Sequence, residues 1–111
     1  MNVGGRDKES SLMHIITKRR LKEFADGHVD AQTTLATWVK ATESQQWHSI
    51  VDVHAVYPAA DLVGNLTVFN IGGNKYRLVA FIDYTYGKVF IRAILTHAEY
   101  DEEKWKNDPW Y

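Results

Sequence analysis

From residue 66 to residue 96, apolar and polar side chains alternate in three runs separated by glycines, LTVFNI, KYRLVAFID and KVFIRAILT. Successive side chains of a strand point to opposite faces. Phe69, Ile71, Tyr76, Leu78, Ala80 and Ile82 therefore predict the core side of a three-stranded meander, and Val89, Ile91, Ala93 and Leu95 extend it. The Gly72-Gly73 pair suits the positive-φ positions of a tight hairpin, and Gly87 lies in the second connection. A turn closed on Gly72-Gly73 pairs Asn70 with Lys75 and Val68 with Arg77. Asn70, Lys75, Arg77 and Arg92 then share the polar face, with no acidic neighbour before Asp83.

Upstream the period changes. MHIIT at residues 13–17 predicts a short strand. Leu21, Phe24 and Ala25 form one helical stripe over residues 18–26, with Thr17 as N-cap and Gly27 as the C′ residue. Lys18, Arg19 and Lys22 are left on the outside. Ala31, Leu35, Trp38, Val39 and Thr42 predict a second helix from near Asp30 to about Glu43. Residues 44–63 carry two patterns: Trp47, Ile50, Val51 and His54 at helical spacing, and Val51, Val53, Ala55 and Tyr57 in alternation. The reading adopted is a short helical turn, then an extended piece into Pro58, because the residue before proline avoids the α region. Residues 59–65 read as a loop.

After the meander, Thr96 and Glu99 have capping-box spacing, which predicts a terminal helix over residues 98–106 stopped near Pro109. Strict alternation beyond Arg92 points His97 to the apolar face, so the chain is expected to bend after Thr96. Trp38 and Trp47 are expected in the core, and Trp105 and Trp110 exposed. The whole is an α+β pattern: a small twisted, mainly antiparallel sheet in β-α-α-β-β-β-α order, with helices on one face. The expected partition is a flexible lead at 1–12, one domain at 13–106 and a tail at 107–111.

Composition narrows the class. The 111 residues suffice for one compact domain, and 45% hydrophobic and 13% aromatic content argues against disorder. The net charge is −1, so total charge does not announce a nucleic-acid binder. Its distribution says more: Lys18, Arg19, Arg20 and Lys22 cluster, the sheet holds Lys75, Arg77, Lys88 and Arg92, and acid gathers at Glu99, Asp101, Glu102, Glu103 and Asp108. Cysteine is absent, which removes disulfides and thiolate metal sites and is compatible with a cytoplasmic protein. No apolar run approaches the roughly 20 residues of a membrane helix, and the polar start has no signal-peptide core. His14, His28 and His48 share no spacing, so neither a metal nor a cofactor is expected. His54, at helical spacing from Trp47, reads as a packed histidine.

Four segments in order, MHIITKRRLKEF, YPAADLVGN, VFNIGGNKYRLV and VFIRAILTHAEYD, resemble the HigB-type toxins of bacterial toxin–antitoxin pairs, within the RelE/ParE-like superfamily. The likeness spans about residues 13–104. It implies a microbial-ribonuclease-like α+β fold and a ribosome-dependent endoribonuclease that cuts mRNA in the ribosomal A site. It also implies a HigA-like helix-turn-helix antitoxin as inhibitor, with operator DNA reached only through that antitoxin.

RNA brings its own nucleophile: the 2′-OH can attack the adjacent phosphate, giving a 2′,3′-cyclic phosphate and a free 5′-OH. The protein must orient the strand, stabilise phosphate charge and move protons. Arg77, in the YRLV string whose arginine lies in the active site across the superfamily, is the leading phosphate ligand, since its planar fork matches two oxygens. The bland alternative is a solvated arginine paired with Asp83 or Asp61. Lys75 and Arg92 are further cations, Arg92 alternatively a structural ion-pair partner. His97 is the natural proton-transfer group, or else a helix-start residue bonded to backbone. Tyr100 can stack on a base or move a proton, or anchor the terminal helix. Asn70 and Asn74 are candidate RNA contacts or ordinary turn residues. Lys18, Arg19 and Lys22 would suit ribosomal RNA phosphates or be a solvated helix surface. One departure from the ribosome-dependent relatives is that LTVFNI lacks the lysines they often carry on that strand. A non-catalytic ParE-like toxin that binds DNA gyrase, or a degenerate toxin that only sequesters its antitoxin, are the competing readings.

Overall fold

The computed structural model describes residues 12–111, so most of the expected lead at 1–12 lies outside the described residues. The chain runs β1 (His14–Ile16), α1 (Lys18–Gly27), a 3-10 turn (Val29–Ala31), α2 (Gln32–Glu43), α3 (Ile50–Val56), β2 (Asp61–Val63), β3 (Leu66–Ile71), β4 (Tyr76–Asp83), β5 (Lys88–Thr96), α4 (His97–Asp101) and a final 3-10 turn (Lys104–Asn107). The five strands form one sheet in the order β1-β5-β4-β3-β2. Only the β1–β5 pair is parallel. This is the expected α+β class, with one strand and one helix more than the pattern announced. The segment with two competing periods is a helix, capped by the Ser49 hydroxyl accepting from the Val51 amide. Residues 61–63, read as loop, pair with β3.

The helices α1 to α3 pack on one face. Phe69, Ile71, Tyr76, Leu78, Ala80, Ile82, Val89 and Ile91 meet Leu21, Leu35, Trp38, Trp47 and Val53 there. Tyr57, Trp38 and Trp47 surround Phe69 with ring centroids 5.2 to 6.4 Å away, a geometry that adds to burial. Two cap expectations fail. Thr17 adopts φ 73 and makes no side-chain cap; its carbonyl, not its hydroxyl, receives the Arg20 amide. Gly27 remains the last helical residue, and His28 follows it with its ring stacked on Phe24 at 3.9 Å.

The first hairpin also differs from its expected register. Asn70 pairs with Arg77 and Ile71 with Tyr76. The turn therefore holds four residues, Gly72 and Gly73 at φ 61 and 68 followed by Asn74 and Lys75, with the Lys75 amide donating to the Gly72 carbonyl. A shift of two residues preserves which face each side chain occupies. Asn70 and Arg77 thus still share the face away from the helices, while Lys75 leaves the strand altogether.

A second difference matters more. Opposite β4, Ala80 pairs with Ile91 but Val79 with Ala93, so Arg92 is an extra residue in β5. A bulge of this kind inverts the alternation beyond it. Ala93 and Leu95 therefore pack on the second face, contrary to the expected pattern, and Ile94 packs against the helix-side core. The second face is not bare. Leu66, Val68 and Val79 are buried there under Trp105, with Phe81 and Tyr100 alongside. Trp105, expected to be exposed, is 9% exposed because the chain turns back at Glu103, φ 61. Trp110, 37% exposed, meets Phe81 and Phe90 edge-on at 5.4 and 5.2 Å.

Arg92 fastens this C-terminal segment. Its Nε and Nη2 donate to the two Asp108 oxygens at 2.9 and 3.0 Å, and its guanidinium lies 3.9 Å from the Trp110 ring centroid. Burial alone pushes the Asp108 carboxyl up, but the hydrogen bonds from Arg92 and the Trp110 amide, with the Arg92 and Arg20 charges, outweigh it and leave it below the ordinary range. A depressed carboxyl stabilises the fold above its unfolded pKa, about 4, and that contribution is lost as pH falls through the lower folded value. Asp108→Asn is accordingly expected to cost about 2 kcal/mol at pH 7 and to show a shallower loss of stability below pH about 4. Urea midpoints of both proteins across the acid range check this; parallel acid limbs would contradict it.

Candidate functional site

Candidate residues gather on the second face, at the end of the sheet nearest the Gly72–Lys75 turn. Arg77 leaves β4 on that face, half-buried. Its Nη1 donates to the carbonyls of Asn74 and Tyr76 at 3.0 and 3.2 Å, and its guanidinium carbon lies 5.4 Å from the Tyr100 ring centroid. The exposed side chain of Asn70 stands on the neighbouring strand directly opposite. Arg77 thus binds neutral groups, which leaves its full charge for an incoming anion.

Helix α4 supplies the other half. Thr96 and Glu99 close the expected capping box: the Glu99 amide donates to the Thr96 hydroxyl and the Thr96 amide to the Glu99 carboxylate. That box fixes the start of the helix, and with it His97 and Tyr100. As expected, the chain leaves the strand after Thr96: β5 ends there and His97 is the first residue of α4. The His97 amide donates to the Lys75 carbonyl at 3.1 Å. The carbonyls on either side, those of Asn74 and Tyr76, are the ones that hold Arg77. One stretch of turn therefore sets both groups. The imidazole is exposed, with Nδ1 3.0 Å from Asp101.

Tyr100 stacks on Trp105 with centroids 5.1 Å apart, and the Trp105 indole N–H donates to the Tyr100 carbonyl at 3.0 Å. Burial pushes the Tyr100 phenol above its ordinary value, and the Asp61 carboxylate adds to this. The Arg77 and Lys106 charges act in the opposite direction without cancelling it. At neutral pH the phenol is protonated, so Tyr100 is equipped to donate a proton or hydrogen bond rather than accept one. It also anchors the terminal segment, one of the alternatives read from the sequence.

The remaining candidates stand elsewhere or are engaged. Lys75 reaches away from Arg77 to Asp30 at the start of α2, where the Tyr76 hydroxyl also donates at 2.7 Å. Its hydrogen bond to Asp30 raises its pKa further. Arg92 lies farther down β5 in its pair with Asp108. Lys18 pairs with Glu43 at 2.9 Å, Arg19 with Glu23 and Lys22 with Asp26, both at 3.7 Å, while Arg20 on the same helix donates to the Arg92 carbonyl. Asn74 lies exposed in the turn and lends its carbonyl to Arg77. His54 bonds the Ala60 carbonyl at 2.8 Å. Among the described residues no group of three or more His, Asp or Glu is placed to hold a metal ion, and no helix is long and apolar enough to cross a membrane.

Sequence reasoning passed over two charged neighbours of this group. Asp101 was readable, four residues after His97 in HAEYD. Lys106, ion-paired with Glu103 and 5.7 Å from the Trp105 ring, was hidden because the break at Glu103 interrupts the helical period.

Comparison with known proteins identifies the family. The family model described as HigB_toxin, RelE-like toxic component of a toxin-antitoxin system, matches residues 31–103. The chain is similar to the mRNA interferase toxin HigB of Escherichia coli strain K12, 34% identical over 92 residues covering 80% of this chain and 88% of that protein. The mRNA interferase HigB of Shigella flexneri matches to the same extent. That of Escherichia coli O6:H1 is 26% identical over 93 residues, 81% of this chain and 90% of the relative.

The electrostatics of Tyr100 can be measured directly. In an alkaline ultraviolet titration, the component lost in Tyr100→Phe is expected to ionise above the ordinary tyrosine value of about 10. Arg77→Ala is expected to move it higher still, because a neighbouring positive charge that favours the phenolate is removed. Ionisation below that value would contradict the geometry.

Proposed function

Because the chain belongs to the HigB family of RelE-like toxic components of toxin–antitoxin systems, we propose that it is an endoribonuclease that cleaves mRNA and so arrests translation. The relatives named as mRNA interferases support the substrate. The finer reading is that cleavage occurs in the A site of the ribosome, by attack of the ribose 2′-OH on the adjacent phosphate and without a metal ion. The protein acts in the cytoplasm and is held in check by a HigA-like helix-turn-helix antitoxin, through which alone it touches operator DNA.

The observation that carries this reading is the state of Arg77. Lys18, Arg19, Lys22, Lys75 and Arg92 are each paired with a carboxylate. Arg77 instead lies on carbonyls and on the Tyr100 ring, a preorganised fork with its charge uncommitted. Scissile phosphate oxygens would take that fork bidentately, and charge building on them would be stabilised without reorganisation. His97, exposed and next to the turn, would exchange the proton of the 2′-OH or of the leaving 5′-oxygen. Tyr100 would donate a hydrogen bond or stack beneath a base. Asn70 and Asn74 would contact nucleotide edges or backbone. Lys75 and Arg92 would add longer-range attraction, since each must leave its carboxylate to touch RNA. Lys18, Arg19 and Lys22 would serve the same end towards ribosomal RNA.

The test is growth and transcript mapping after induction without the antitoxin, then cleavage by purified protein with and without translating ribosomes. Wild type is expected to arrest growth, to cut within codons, and to need the ribosome. Arg77→Ala is expected to lose about 10²–10³-fold in cleavage while its unfolding midpoint stays within a few tenths of a molar of wild type. Lys75→Ala is expected to lose no more than about tenfold, the scale of a single rim contact near 1 kcal/mol. Intact mRNA with damaged DNA would overturn the reading in favour of a gyrase-binding toxin, and full cleavage by Arg77→Ala would remove the proposed centre.

A further inference from the structure

We propose that the second face carries a nucleobase subsite, a cleft that takes one guanine of the RNA at the opposite end of β4 from Arg77. The inference rests on the reading of the chain as an RNA-cleaving toxin and deepens it by naming a base preference. It uses none of the residues placed at the scissile phosphate.

The cleft has a volume of about 450 Å³ and is lined by Asn65, Phe81, Asp83, Phe90, Pro109 and Trp110. Aromatic walls with a few polar groups are the usual make-up of a ligand site. Phe81 and Phe90 are direct partners across β4 and β5, and Trp110 meets both edge-on. Phe81 packs with the second core, and Asp83 follows it two positions on, so both project from the face that bears Arg77. Asp83 stands six positions beyond Arg77, roughly 20 Å along the strand. The base held here therefore belongs to a different nucleotide from the one cleaved. Trp110 is fixed in place: the Arg92 guanidinium lies 3.9 Å from its ring centroid, and its amide donates to Asp108 Oδ1 at 2.7 Å. It is nonetheless left 37% exposed. An indole held from behind yet open to solvent is a preorganised wall, and contact with aromatic rings is how single-stranded bases are bound.

The polar groups select the base. Asp83 Oδ1 accepts from the Tyr86 amide at 3.0 Å, which fixes the carboxylate, and Oδ2 has no hydrogen-bond partner among the described residues. Asn65 donates through Nδ2 to the Tyr111 carbonyl at 3.1 Å, which leaves its Oδ1 unengaged among them. The cleft thus offers acceptors, and a carboxylate is an acceptor alone. On its Watson–Crick edge guanine presents two adjacent donors, N1–H and the N2 amine. Adenine, cytosine and uracil each set acceptors beside a single donor group. A carboxylate can take both guanine donors at once, in charge-assisted hydrogen bonds. Lys88, exposed and opposite Asp83 on β5, supplies a cation for the adjoining phosphate. An arginine of a protein partner would also suit rings and a carboxylate, but Lys88 repels it and the cleft shares a face with Arg77. Pro109 and Trp110 lie outside the residues 31–103 that the family model matches, so the cleft is completed by residues beyond the shared pattern.

Binding is measured on the full chain with 2′-O-methyl oligouridines, which carry no nucleophile, each holding one central guanosine, inosine or adenosine. The readout is the Trp110 indole N–H resonance, assigned with Trp110→Phe, and argininamide serves as the competing probe. The guanosine oligonucleotide is expected to shift that resonance and to bind about tenfold more tightly than the adenosine one, with inosine, which lacks the N2 amine, in between. Asp83→Asn keeps an oxygen for the Tyr86 amide but sets a donor against guanine, and is expected to abolish the preference. In transcript mapping, wild-type cuts are expected to carry a guanine at a fixed distance, and Asp83→Asn to cut at an unchanged rate without that bias. Equal affinity for guanosine and adenosine, a preference that survives in Asp83→Asn, or a shift given by argininamide and not by the guanosine oligonucleotide overturns the proposal. Guanosine binding at Trp110 in a protein that cuts no mRNA would bring down the nuclease reading and leave the base site standing. Cleavage without any base bias would bring down the base site alone.

Discussion

The extra residue in β5 is the constraint on which the arrangement depends. Up to Ile91 the strand obeys the alternation of its neighbours and buries Val89 and Ile91 under the helices. At Arg92 one residue is left over, because Ala80 and Val79 take Ile91 and Ala93 as partners. Everything after that point is turned over. Ala93 and Leu95 join Leu66, Val68 and Val79 in a second small core, and α4 is delivered to the side where Arg77 emerges. The bulged residue is itself used: its guanidinium holds Asp108 and lies on Trp110, which closes the C-terminal segment over the surface that the inversion made apolar. Without the extra residue Ala93 and Leu95 would face the helices, and the second core would lose both.

What could be read in the chain, and what could not, follows from the range of the forces involved. Local signals sufficed for β1, α1, α2 and the three long strands, and for the Thr96–Glu99 box, because periodicity and capping are decided within a few residues. The helix-side core was legible as far as Ile91 for the same reason. The four-residue turn was not, since two glycines at positive φ suit more than one loop length, and the choice is settled by Tyr76 reaching Asp30 far upstream. The bulge has no glycine or proline to announce it in VFIRAILT; it is imposed by the need to cover both faces. β2 is three residues long and exists because β3 offers it an edge. Reading the last residues as a tail hid the partner of Arg92.

The candidate site was legible in kind and only partly in place. The expectation of guanidinium and ammonium groups sharing one exposed surface holds for Arg77 alone among the strongest three. Lys75 is drawn round the turn to the carboxylate at Asp30, and Arg92 is held by Asp108. Proximity in sequence overstated their association because a charged side chain several bonds long goes where its counter-charge lies, and those counter-charges come from distant segments. His97, by contrast, was legible from local signals, because the Thr96–Glu99 capping box ends the strand and starts the helix where the sequence placed the bend.

The parallel pairing of β1 with β5 carries a temporal consequence. His14 lies beside Lys88 and Ile16 beside Phe90, so among the described residues one parallel seam joins the earliest strand of the sheet to the latest. Closing so long a loop has an entropic cost that precedes any gain from the contact. During synthesis β1 waits without its partner strand, and the sheet can close only once β5 has been made.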